Sequence, residues 1–454
     1  MRALGCAPDP GGVKRILLIS YHFPPIGGAG AQRPAKLVRR LRELGWEAVV
    51  VTCPADVESR WTPHDEQLVR ELPSGTEVLR LRGPEPVPTT GWRRRAERWV
   101  GFEPWRRWWI EGVVEAGRRA GPFDLVYAWM APFESAQAAT RLARERGVPW
   151  IGDLGDPWAL DEMWVFATGV HRRRALAEMR TWLGHADALV LSTPEAAEQV
   201  RTHVPGLAGK PVVAIPNGFD ADDFAQPLPS RTDAAFRIVH TGYLHTEMGL
   251  RQRRSARAQR LLGGAARGLD ILTRSHVYLL EAVERVRAAE PELAAGLEVH
   301  LAGVVSDADR RVADRSPTVR LHGYLPHDET LRLLRTADLL FLPMHDLPPG
   351  RRARIVPGKT YEYLAAGPPI LAAVPDGDAR DLLAEAGNAL LCRPADVDAM
   401  AEAIAGELTR KREGRPAPGG RPEIVARYEY RHLAVELAAV FDRVLDRRPL
   451  SAVA

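Results

Sequence analysis

Short apolar runs, each followed by a segment with one apolar face per helical turn, recur along most of this chain. Arg15–Ser20 reads as a parallel strand buried on both faces, because such strands are apolar throughout rather than alternating. A loop over 21–30 follows. Ala31 to Leu44 then reads as a helix, with Leu37, Leu41 and Leu44 on one face and Gly45 as its stop. Further strands are expected at Glu47–Thr52, Leu125–Trp129, Trp150–Asp153, Ala188–Leu191 and Val212–Ile215, with helices from about Glu134 and from Thr193. The polar, Pro-bearing stretch from Ile215 to Asp233 interrupts the rhythm. It restarts with strands at Phe236–His240, Leu297–Ala302, Val319–Leu321, Leu339–Leu342, Pro369–Ala373 and Ala389–Cys392. The Arg/Ala/Gly-rich segment 250–267 reads as a mobile inserted loop. Tyr428 to Leu445 reads as an amphipathic helix.

Strands alternating with helices imply doubly wound parallel sheets. The α/β class follows, with two Rossmann-like domains facing across a cleft. The expected division is 1–222, 223–425, and a terminal helical segment 426–454 that packs back on the first domain. Ligands of such sheets bind beyond the carboxyl ends of the strands, so two facing domains place a site between them.

Composition narrows the picture. The 454 residues carry 62 basic and 58 acidic side chains, a net charge of only +4. Of the basic residues 57 are arginine, a bias that lowers the meaning of any single arginine and raises that of a lysine. The basic residues are not gathered in a nucleic-acid-binding module. Cys6, Cys53 and Cys392 are too few and too far apart for a disulfide framework or a metal cluster. No apolar run reaches the ~18–20 residues of a membrane span, and residues 1–13 lack the order of a signal peptide. A cytoplasmic protein is expected.

Two segments carry candidate chemistry. In Pro24-Pro25-Ile26-Gly27-Gly28-Ala29-Gly30, glycines after the first strand let backbone approach a ligand closely, and the next helix offers free N–H groups to an anion. A plain strand-to-helix turn is the alternative. In Arg351–Ile370, Pro357 and Gly358 turn into a short helix closed by Gly367, and Lys359 adds a full positive charge beside the helix N-terminus. Glu362 falls one turn on. Next to a diphosphate it makes sense as an acceptor of hydroxyl hydrogen bonds, such as a ribose offers; an ion pair with Lys359 on an exposed helix is the competing reading. Asp220/Asp222, Asp307/Asp309 and Asp376/Asp378 each match Asp-x-Asp, but all fall in turns, and no metal site is expected. Residues 91–110 interleave five tryptophans with arginines, which suits either core packing with solvated arginines or contact with a membrane interface.

Taken together the motifs resemble glycosyltransferase family 4 of the GT-B type. The resemblance rests on the 24–30 loop, Ile215-Pro216-Asn217-Gly218-Phe219-Asp220, Thr241-Gly242, Leu321-His322-Gly323-Tyr324 and Lys359-x-x-Glu362-Tyr363-Leu364-Ala365-Ala366-Gly367-x-Pro369-Ile370. It implies a retaining transfer from a nucleotide diphosphate sugar to a hydroxyl acceptor, without a metal or other cofactor. It places Glu362 on the nucleotide ribose, Val356, Pro357, Gly358 and Lys359 along the diphosphate, Gly323 and Tyr324 beside the base, and Gly242 at the strand end below. Gly27, Gly28 and Gly30 face the donor phosphate from across the cleft. A basic residue past Thr241-Gly242 is implied at the phosphates; Arg274 is the choice, with Arg267 as rival. Two departures stand out. Arg354 occupies the place of the first glutamate of the family's Glu-x7-Glu. Met130-Ala131-Pro132-Phe133-Glu134-Ser135 lacks the histidine common after the strand Leu125–Trp129. A related branch carries Asp-x-Arg-Asp-x-Trp instead; here the segment is Asp153-Leu154-Gly155-Asp156-Pro157-Trp158. Asp153 and Asp156 are the catalytic-side candidates for the acceptor hydroxyl, while a turn cap before Pro157 explains Asp156 equally well. A GT-B epimerase or phosphorylase, and a non-catalytic GT-B partner protein, are the competing functions.

Overall fold

The apolar runs pair into two parallel sheets in the computed structural model, which describes residues 13–57, 63–86, 103–228, 231 and 233–447. The first sheet holds β1 (Lys14–Ile19), β2 (Trp46–Thr52), β3 (Glu77–Arg80), β4 (Leu125–Trp129), β5 (Trp150–Leu154), β6 (Ala188–Leu191) and β7 (Val212–Ala214), in the order β3-β2-β1-β4-β5-β6-β7. The second holds β8 (Phe236–Thr241), β9 (Leu297–Ala302), β10 (Val319–Gly323), β11 (Leu339–Pro343), β12 (Ile370–Ala373) and β13 (Ala389–Cys392), in the order β10-β9-β8-β11-β12-β13. The two orders are the same through their first six strands. Each reverses direction beside its first strand, and that switch point opens a crevice at the carboxyl edge.

β3 was not among the expected strands. Its sequence, Glu-Val-Leu-Arg, is half-exposed at the sheet edge, so no apolar run marks it. Segment 250–267 is also corrected: Thr246–Leu262 is a helix, built from good helix formers and ended by Gly263 with φ 69°. Of the Trp/Arg stretch, residues 91–102 lie outside the described residues. The remainder enters the helix Pro104–Arg119, where Trp109 is fully buried and Trp105 and Trp108 pack against the same core. For these three tryptophans packing accounts for the pattern.

The chain crosses between the sheets at 215–220 and returns at 425–430. The crossings are joined: Phe219 N donates to Tyr428 O at 3.0 Å and Tyr430 N to Phe219 O at 2.9 Å. Gly218 is required here, since a Cβ would lie 2.3 Å from Tyr428 O. The helix Tyr430–Asp446 then lies on the first sheet, with Phe441 5.1 Å from the Trp46 ring and 5.2 Å from Tyr127.

Candidate active site

The carboxyl ends of β8, β9 and β10 are stitched together by glycines. Gly242 N donates to Ala302 O (2.7 Å) and Gly303 N to Gly323 O (2.6 Å). Gly242 (φ 93°) and Gly303 (φ 137°) sit so close that a Cβ on Gly303 would meet Gly242 O at 2.5 Å. This floor leaves room above Gly242 for one side chain, Lys359, whose Nζ would lie 2.8 Å from a Cβ at Gly242.

Lys359 opens the helix Lys359–Ala366, held in place by Tyr363, whose hydroxyl accepts from Thr241 N at 2.8 Å. Pro357 and Val356 are buried beneath the turn, and Gly358 faces Asn217 of the crossing segment. Among the described residues the Lys359 ammonium has one hydrogen-bond partner, His240 Nε2 at 3.2 Å; His240 Nδ1 lies 3.0 Å from Phe341 O. That geometry assigns the proton to Nδ1 and leaves Nε2 to accept. Burial, then the Lys359 charge, hold the His240 pKa well below its usual range. Burial and the charge of Arg274 lower the Lys359 pKa to about 7. Among the described residues, no carboxylate lies within ion-pair distance of either cation. His240 went unremarked in the sequence because it sits inside an apolar strand.

Arg274 comes from the turn before the helix Val277–Ala289 and points at the first domain, where Nη1 donates to Met163 Sδ at 2.9 Å. Burial lowers its pKa, opposed by Asp156, Asp161 and Glu162. The rival Arg267 is exposed, and its carbonyl accepts from Arg351. Asp156 is open to water, yet protein surrounds it closely enough that desolvation raises its pKa against the pull of Arg274. Its carboxyl makes no hydrogen bond among the described residues, so it caps no turn there.

Asp153, expected beside Asp156, is elsewhere. It is 0% exposed, and Arg33 Nε donates to Oδ2 at 2.9 Å while Tyr127 Oη donates to the same oxygen. The strand pleat turns Asp153 under the helix Ala29–Glu43, so it serves as counter-charge to a buried arginine rather than reaching the cleft. Gly155 lies against Trp129: a Cβ would be 2.9 Å from the ring, so a larger residue here needs Trp129 to move.

The glycine loop meets the second domain directly. A Cβ on Gly27 would lie 2.7 Å from Tyr324 Oη and 2.8 Å from Asp65 Cβ; one on Gly30 would lie 2.9 Å from His22 Nδ1; Gly28 has φ 83°. Tyr324 Oη donates to Asp65 Oδ2 at 3.3 Å, and Gln32 Nε2 lies 3.2 Å from His327 Nδ1. Glu362 lies 3.9 Å from His327 Nε2, which in turn is 3.2 Å from Asp223. Burial raises the Glu362 pKa, countered by His327. Glu362 therefore does not pair with Lys359; the two point to different parts of one cleft.

Arg354 is tied to the first domain. Its N–H donates to Glu162 Oε1 at 3.0 Å, its carbonyl accepts from Thr193 Oγ1 at 2.8 Å, and Nη1 lies 3.9 Å from Glu162 Oε2. His345 Nε2 completes the cluster, 3.1 Å from Glu162. Burial works against the Glu162 carboxylate, but His345 and the Arg354 N–H hold its pKa below the usual range. Sequence alone gave no signal for this cluster, whose members are 183 and 192 positions apart. One aspartate of each Asp-x-Asp pair is engaged in structure. Asp220 binds Arg40, Asp309 forms a capping box with Ser306, and Asp378 accepts from Glu195 N at 2.9 Å.

Cations with no ion-paired carboxylate among the described residues, at the switch point of one sheet and across from a glycine loop on another, have the charge to receive a phosphorylated ligand. Family comparison decides the class. "Glycosyl transferase 4-like domain" matches residues 27–218 and "Glycosyl transferases group 1" matches 269–409. The chain belongs to the group 1, family 4-like glycosyltransferases. Glycogen synthase of Mycobacterium tuberculosis is 24% identical over 451 residues, covering 94% of both chains. Among solved structures the enzyme has the fold of sucrose-phosphate synthase from Thermosynechococcus elongatus (TM-score 0.59, 16% identity, covering 96% of this chain and 100% of that one). Anabaena HepE, in complex with UDP and glucose, is equally similar (TM-score 0.59, 14% identity, 95% and 100% covered). A Listeria monocytogenes chain assigned as a UDP-N-acetylglucosamine 2-epimerase has the same architecture (TM-score 0.53, 13% identity, 96% and 97% covered). The GT-B fold is thus established, and it does not by itself choose the reaction.

Proposed function

We propose that the enzyme transfers a hexosyl unit with retention from a UDP-sugar to a hydroxyl acceptor, binding the donor diphosphate between Lys359, Arg274 and the N-terminus of Lys359–Ala366. One observation carries this reading: the Arg274 charge adds to burial in lowering the Lys359 pKa to about 7, and among the described residues neither cation has a carboxylate within ion-pair distance. A diphosphate supplies the missing charge. Breakage of the anomeric bond builds negative charge on the leaving diphosphate, and the two cations with the helix N–H groups stabilise it as it forms. Glu362 accepts hydrogen bonds from the ribose, Gly323 and Tyr324 border the base, and Gly27, Gly28 and Gly30 let the first domain approach the phosphate. Asp156, open in the cleft, receives the acceptor hydroxyl. No carboxylate is placed as a nucleophile, so a same-face transfer, in which a donor phosphate oxygen takes the acceptor proton, fits the site. UDP is the nucleotide of choice because the Anabaena relative is in complex with it.

A thermal-shift panel of UDP, GDP, dTDP and ADP tests the donor site, since a ligand that prefers the native state raises Tm. UDP should raise it, and Lys359→Ala and Glu362→Ala should each reduce the shift. A silent panel, or variants that shift like the parent, would remove the donor site from these residues and favour a non-catalytic role.

A further inference from the structure

Beside the cleft mouth, segments from both domains assemble a surface that is apolar at its centre and basic around it. The helix Thr246–Leu262 buries Gly249 and Gln252 and turns Arg251, Arg254 and Arg257 outward. It ends in Leu261 and Leu262, which are 89% and 54% exposed. The first domain meets this end: Phe166 N donates to Gly264 O at 2.8 Å, and a Cβ on Gly169 would lie 3.5 Å from Leu262 O. Trp164 (44% exposed) and Val170 (64%) flank that junction, followed by the exposed Arg172 and Arg173. From Met248 to Leu269 there are six arginines and no acidic residue, and from Met163 to Ala177 three arginines and none. The inserted helix lies between the two segments matched to the family.

Large exposed apolar side chains at one tip, ringed by arginine and with the helix's acidic residue, Glu247, at its far end, are what an interfacial surface requires. The charge decides among occupants. A second copy would bring the same arginines against themselves, whereas an anionic bilayer supplies the opposite sign. The geometry points to docking of this face on an anionic lipid surface, with Leu261, Leu262, Trp164 and Val170 in the headgroup region and Arg251, Arg254, Arg257, Arg172 and Arg173 on lipid phosphates. The docked face leads inward. Trp164 packs edge-on to Phe133 (5.5 Å), and Phe133 stacks on Trp158 (4.9 Å), two residues past Asp156. An aromatic strip therefore joins the bilayer face to the acceptor side of the cleft. Only that last placement rests on the proposed function; docking does not.

The test is flotation of the full chain with vesicles of phosphatidylcholine alone or mixed with phosphatidylglycerol, at low and high salt. Binding is expected only to the anionic vesicles and should weaken with salt. At about fivefold per arginine, the triple variant Arg251→Gln/Arg254→Gln/Arg257→Gln should bind on the order of 100-fold more weakly. Leu261→Asp/Leu262→Asp should lose binding, and both variants should keep the parent's Tm and its shift with UDP. A parent chain that ignores anionic vesicles, or variants that bind as it does, would overturn the proposal. So would light scattering that finds a dimer separated by Leu261→Asp, because a second copy would then cover this face.

Discussion

Donor binding should take up a proton at Lys359. In the free enzyme its pKa is lowered to about 7 by burial and by Arg274. A bound diphosphate reverses both effects, supplying opposite charge and hydrogen-bond acceptors, and returns the ammonium towards its ordinary value of 10.5. The sign follows from linkage: the complex holds a proton that the free enzyme has lost above pH 7, so affinity is flat below pH 7 and falls above it. The slope is about tenfold per pH unit, or roughly 1.4 kcal/mol, giving about tenfold weaker binding at pH 8 and about 100-fold at pH 9. Titration calorimetry with UDP at pH 8, in two buffers of different ionisation enthalpy, should register uptake of about 0.9 proton. Lys359→Arg keeps the charge at every pH and should flatten the profile. Lys359→Met relieves the free enzyme of a buried charge, so its Tm without ligand should rise while its response to UDP is lost. A Kd independent of pH between 6.5 and 9, with no proton uptake, would refute the coupling, as would an unchanged profile in Lys359→Met.

Asp153→Asn leaves the buried Arg33 without its counter-charge and should lower stability to urea by about 3 kcal/mol, with UDP affinity unchanged; full stability with loss of turnover alone would restore Asp153 to the catalytic side. Arg354→Glu sets a second carboxylate beside Glu162, so Tm should fall, and adding Glu162→Gln should recover part of it, a coupling that a double-mutant cycle measures. Gly27→Ala drives a methyl into Tyr324 and Asp65; steady-state kinetics should show reduced kcat/KM with Tm little changed, and parent-like kinetics would show that the loop yields there at no cost.

What the chain order made legible was whatever a local pattern encodes. The strands β1, β2, β4–β9 and β11–β13 announce themselves as largely apolar runs, and β10 through the alternation of Val319, Arg320, Leu321 and His322. The turn at Pro357-Gly358 and the glycine loop do so through residue types that few other conformations demand. β3 escaped because an edge strand needs no apolar face, and the helix Thr246–Leu262 because its arginines and alanines carry no apolar stripe. The site divides the same way. Lys359 and Glu362 share a helix and could be read from spacing, yet spacing placed them as one another's possible partners, and the fold sends Glu362 towards His327 instead. Asp153 and Asp156 looked alike as neighbours on a strand end, but β5 ends at Leu154 and the bend after it separates a buried counter-ion from an open carboxylate. Arg354 stood only as a departure from the family's first glutamate until Glu162 arrived from the other domain.

The joined crossings at Phe219 and Tyr428–Tyr430 have a mechanical consequence. Two strands of chain pinned to each other by backbone hydrogen bonds resist sliding and twisting of the domains, because either would have to break the pins; bending across them keeps both bonds. Of the three movements the crossings oppose bending least, a swing like that of a door on two closely set pins. The same pins make the last helix a strut of the first domain that hangs from the second. Cutting the chain after Val425 would uncover the apolar faces of Trp46 and Tyr127 and unseat the hinge in a single step.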